Sequence, residues 1–190
     1  MRLQPSDCII AVGIPLKRED FMSCVDRVHE QNLIRTQALS WSKYEREVVA
    51  PFCRAAHTWR KLGVHVYTSV SIAKLKEIFH ANNPKVVMLI SHAHGSFIEL
   101  IEGMVPTSEV LNVIPESYSG TIDLCVCNSR TFAKQLKQER PNLIVKYSDN
   151  PAMYTVWFGV YSIMFALVQQ GAFTFYADAL DQALDAFRTT

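Results

Sequence analysis

The run Lys85-Val86-Val87-Met88-Leu89-Ile90-Ser91-His92-Ala93-His94-Gly95 decides the fold. No side chain from Val86 to Ile90 is polar, so a strand here has no face to give to water. It must be covered on both sides, as a central strand of a parallel sheet is. A second central strand is predicted from Thr121 to Val126. Between the two, Phe97 to Val105 predicts a hairpin turning at Glu102-Gly103, and Thr107 predicts the N-cap of a short helix carrying Val110, Leu111 and Ile114. The hairpin is therefore an insertion between two strands of one sheet.

Outward from this centre, short apolar runs alternate with amphipathic stretches, the pattern of strands separated by crossover helices. Ile9 to Ile14, Val64 to Val70 and Leu143 to Tyr147 are the other predicted strands. A helix is predicted from Trp41 to Leu62, with Tyr44, Val48, Phe52, Ala55 and Trp59 on one face and Pro51 as a kink. Gly63 would end it, and Ser71 would cap the next helix, which runs toward Asn82-Asn83-Pro84. Further helices are expected over Thr131 to Arg140, Val156 to Gln170 and Asp178 to Arg188. The fold class implied is α/β: one domain over residues 1–190, an open, mostly parallel sheet with helices on both faces.

Composition narrows the function. The 190 residues are 49% apolar and 19% charged, the balance of a globular chain. A net charge of +1 supplies no field to draw in phosphate backbones or anionic lipid, so neither nucleic acid nor a membrane surface is the expected partner. The basic run Lys134, Lys137 and Arg140 has helical spacing and is read as a solvated face. Asn150 to Ala177 carries no charge, but its apolar core, Val156 to Val168, falls short of the roughly 20 residues a span needs, so a buried core helix is expected. Five cysteines form no regular framework, and the N-terminus is a poor secretory signal; a reducing, cytoplasmic setting fits best.

In open α/β sheets ligands bind beyond the carboxyl ends of the strands, near the point where strand order reverses. One central run ends in Ser91-His92-Ala93-His94-Gly95 and the next in Cys125-Val126-Cys127-Asn128-Ser129. If the two strands are neighbours they lie about 4.8 Å apart, which brings a thiol and an imidazole to one edge. An imidazole stabilises a nearby thiolate and can return a proton to a leaving amine, the minimum apparatus for acyl transfer. Gly95 allows the close approach and unusual φ of an oxyanion-binding N–H, and the N–H of Cys127 is a second donor candidate.

These residues resemble the CHAT branch of the caspase-like proteases. The likeness rests on Val86 to His94-Gly95, then Glu102-Gly103, Thr107 with its short helix, Ile122 to Cys127-Asn128-Ser129, and an Ala-Leu-rich terminal helix with Ala179, Leu180, Ala183 and Leu184. It covers about Val64 to the C-terminus. The resemblance implies a cofactor-independent thiol protease cutting a protein partner, with His94 as general base and acid and Cys127 as nucleophile. It also implies an oxyanion site of the Gly95 and Cys127 N–H groups, no required third polar residue, and control by a separate regulatory protein. The related metacaspases carry an acidic residue two positions before the nucleophile; here that position is Cys125. Cys125 is thus a rival nucleophile, with Asp123 in the acidic position. Asp123 and Asp149 are weak candidates for binding a basic substrate side chain, set against a reading as surface carboxylates.

Two other functions remain open on the sequence. His92 with His94 and Cys125 with Cys127 have strand-type ligand spacing for a tetrahedral zinc site. An inactive caspase-like module that only binds a partner is the other.

Overall fold

The structure, a computed structural model, describes residues 2–23, 40–81, 84–126, 129–148, 154–171 and 173–188. Among them eight strands form: β1 (Cys8–Val12), β2 (His65–Tyr67), β3 (Val86–Ser91), β4 (Ala93–His94), β5 (Phe97–Leu100), β6 (Gly103–Pro106), β7 (Thr121–Val126) and β8 (Ile144–Tyr147). The helices that position the site are α1 (Trp41–Tyr44), α2 (Ala50–Lys61), α3 (Ile72–Ala81), α4 (Thr107–Val113), α5 (Arg130–Glu139), α6 (Tyr154–Gln169) and α7 (Tyr176–Arg188). Five strands make one sheet in the order β2-β1-β3-β7-β8, every pair parallel, and β4-β5-β6 make a separate antiparallel sheet.

Alternation along the strands divides the core into two layers. Cys8, Ile10 and Val12 of β1, Met88 and Ile90 of β3 and Cys125 of β7 face α2, α6 and α7. Ile9, Ala11, Val87, Leu89, Ile122 and Leu124 face α3, α4 and α5. All residues of β1, β3 and β7 are buried, so helices cover both faces, as the polar-free runs demand. Trp59 anchors the first layer: it is fully buried, edge-on to Phe52, Phe158, Tyr161 and Phe165, and its indole N–H donates to Ser162 Oγ at 3.0 Å. The uncharged segment supplies α6, whose Phe158, Tyr161, Met164 and Phe165 are buried in the same layer. No helix among the described residues is long and apolar enough to cross a membrane.

Some boundaries differ from expectation, for local reasons. Instead of a kink at Pro51, a π turn over Glu45–Val49 joins α1 to α2, with the Ala50 N–H reaching back to the Glu45 carbonyl. Proline has no N–H to give Glu47 and its ring would crowd that carbonyl; widening the preceding turn relieves both. The strand expected over 64–70 stops at Tyr67 because Ser69 adopts φ +53°. Gly63 does end α2, at φ +96°, and Ser71 Oγ does cap α3, accepting from the Lys74 N–H at 3.0 Å. Thr107 is not an N-cap: Pro106 holds that position, the Thr107 N–H donates to the Ser96 carbonyl, and its hydroxyl donates to Gln135 Oε1 at 2.9 Å, tying α4 to α5.

Candidate functional site

β3 and β7 pair in parallel from Val86↔Thr121 to Ser91↔Val126, so both end at one sheet edge. Strand order reverses between β1 and β3, and the edge above that switch point is where such sheets take ligands. Gly13, just beyond β1, is glycine for a spatial reason: a Cβ there would lie 2.4 Å from the Glu99 carbonyl oxygen. Ser91, completely buried, donates its hydroxyl to the same carbonyl. The antiparallel sheet is thereby seated directly on the ends of β1 and β3.

The histidine expected at the end of a central strand lies elsewhere. The main-sheet strand stops at Ser91, the chain crosses at His92, and His94 belongs to β4, paired with Phe97 across the turn Gly95-Ser96. Gly95 has φ +58°, left-handed backbone that favours glycine, and nothing lies within 4 Å of where its Cβ would be. Cys127 follows directly on the last residue of β7. Cys127, Asp149 and the side chain of His94 lie outside the described residues.

His92 is held in a different way. Its Nδ1 is hydrogen-bonded to the Tyr154 hydroxyl at 2.8 Å, with the two rings edge to face. Burial lowers the imidazole pKa, opposed by the Glu99 carboxylate, so the neutral ring is favoured. Cys125 is 2% exposed and faces the α6–α7 layer, a poor position for a nucleophile that must reach a polymer. Among the described residues no group of three or more His, Cys, Asp or Glu gathers as metal ligands; two of the four zinc candidates, His94 and Cys127, have side chains outside that set.

Asp123 is not a surface carboxylate. It is 2% exposed, midway along β7, and its Oδ2 accepts hydrogen bonds from the hydroxyls of Tyr161, at 3.1 Å, and Tyr176. Burial raises its pKa from 3.8 to about 6, against the opposing pull of the two hydroxyls and Lys146. The fold thus favours the neutral acid: its contribution is full below about pH 4 and is lost as pH rises through about 6. As pH rises through this range the wild type is expected to lose on the order of 2 kcal/mol of stability relative to Asp123→Asn, which cannot ionise. Denaturant unfolding of both proteins from about pH 4 to 8 measures this, and parallel profiles would contradict it.

Glu99, Tyr154, Tyr161 and Tyr176 were not legible as site residues. The one local signal was Glu99 itself, a carboxylate within Ile98-Glu99-Leu100, now 2% exposed beside apolar neighbours. The tyrosines lie within the charge-free stretch or at its end, where buried hydroxyls need partners that only the tertiary fold supplies. The chain is an open α/β protein with a parallel five-stranded sheet flanked by helices. No family model matches it, and no curated protein matches it either.

Proposed function

We propose that the chain is a caspase-like cysteine endopeptidase of the CHAT type, cleaving a protein partner with His94 and Cys127. The observation that carries this reading is the parallel β3–β7 register: His94 follows Ser91 by three positions and Cys127 follows Val126 by one, from neighbouring strand ends. The positive φ and open surroundings of Gly95 support its role as an oxyanion donor beside the Cys127 N–H. The burial of Cys125 favours Cys127 as nucleophile. The interior position of Asp123 leaves Asp149 as the remaining candidate for holding a basic substrate side chain.

In this mechanism His94 takes the thiol proton as Cys127 Sγ attacks the scissile carbonyl carbon. The oxyanion forms against the two N–H groups, and the imidazolium gives its proton to the departing amine. Water, deprotonated by the same imidazole, then hydrolyses the thioester and restores the thiol. No cofactor takes part, and a reducing cytoplasm keeps the thiol competent.

A thiol-reactive peptide probe, with the modified residue identified by mass spectrometry, tests the assignment. Cys127 is expected to be labelled in the wild type and spared in His94→Ala, whereas the exposed Cys53 reacts with a small alkylating agent in both. Labelling of Cys125, or equal labelling of Cys127 in both proteins, would remove the dyad. One equivalent of retained zinc would favour the metal site instead.

A further inference from the structure

The basic run that the sequence presents as a solvated face is divided by the fold. Lys137 lies over the Tyr147 ring, 5.3 Å from its centroid, and Arg140 donates to the carbonyls of Glu139 and Ile114. Lys134 instead lines a groove of about 500 Å³ between α5 and the antiparallel sheet. Thr131, Lys134, Gln135 and Gln138 recur at helical spacing along one wall, opposite the buried Phe132, Ala133 and Leu136. The other wall carries Phe97, 38% exposed, and Pro106, its cross-strand partner.

The groove adjoins β4 and the Gly95-Ser96 turn, and its other wall begins close in sequence to Cys127. Phe97 is the residue paired with His94 across β4 and β5, and Ser96, also in the lining, follows Gly95 directly. On the opposite wall Thr131 stands four positions after Cys127. Among the described residues the lining holds a single charged group, the exposed Lys134, and no carboxylate. Amide and hydroxyl groups supply the remaining polarity, and Phe97 with Pro106 the apolar contact. An extended peptide with an acidic side chain next to an apolar one matches both walls.

We infer that this groove is a substrate subsite and that Lys134 selects an acidic residue close to the scissile bond. The inference rests on the endopeptidase reading and adds its substrate class. Lys134 is a specificity residue that acts on substrate association and takes no part in bond breaking, so its replacement should move KM and leave kcat on accepted substrates unchanged.

The test is hydrolysis of a positional-scanning peptide library by wild type, Lys134→Glu and Lys134→Met. Wild type is expected to prefer Asp or Glu at one position. Lys134→Glu should invert that preference toward Lys and Arg, lowering kcat/KM for the acidic peptide about tenfold through KM, with the difference shrinking at high salt. Lys134→Met, which keeps the apolar stem, should lose the preference without inverting it. A wild type indifferent to acidic residues, or a Lys134→Glu profile like that of wild type, overturns the subsite and leaves the endopeptidase standing. A library left wholly uncleaved by wild type overturns both.

Discussion

Replacing Cys127 by alanine is expected to lower peptide-bond hydrolysis roughly ten-thousandfold or more, with the protein still folded. A nucleophile and its base act as a unit, so His94→Ala should fall by a similar factor and the double variant by little more than either. Near-additive losses would show that the two do not share one step. His92→Ala supplies the contrast. That ring is engaged by Tyr154 and its neutral form is favoured by burial, so its loss should show first in stability, through the lost hydrogen bond and edge-to-face contact with the part-buried Tyr154. Kinetics against one fluorogenic peptide, with unfolding curves for each variant, separate the two kinds of effect. Full hydrolysis by Cys127→Ala would end the assignment.

Trp59→Ala is expected to cost about 3–5 kcal/mol of folding stability, enough to leave a marginal chain largely unfolded. The indole is completely buried and edge-on to four rings from α2 and α6, so its removal opens a cavity where those helices join β1 and β3. Trp59→Phe should cost less. Ser162, which accepts from the indole N–H, keeps its own bond to the Phe158 carbonyl at 2.7 Å. Guanidinium unfolding measures both, and a Trp59→Ala loss under about 1 kcal/mol would show that α2 and α6 close over the space.

What the sequence made legible was whatever short-range chemistry determines. Val86 to Ile90 has no polar face, so its central place followed; Thr121 to Val126 matched its strand bounds; Gly63 and Ser71 ended and began helices as their backbone and hydroxyl chemistry dictates. What escaped was set by distant neighbours. Thr107 has a cap's chemistry, but its N–H goes to the Ser96 carbonyl and its hydroxyl to Gln135. Asp123 is treated as a surface acid until Tyr161 and Tyr176, from two later helices, enclose it. That His94 lies outside the main sheet depends on β4 pairing with β5, and a two-residue strand leaves no periodicity to read.

The insertion of β4 to β6 and α4 between two paired strands has a consequence for biosynthesis. His94 leaves the ribosome well before Cys127, and the edge that would unite them exists only once β7 has zipped onto β3. Parallel pairing across such a separation must meet its loop-closure cost before its ladder bonds form, so it falls late in folding. On the endopeptidase reading, a nascent chain in which β7 has not yet paired with β3 would therefore be inert toward its surroundings.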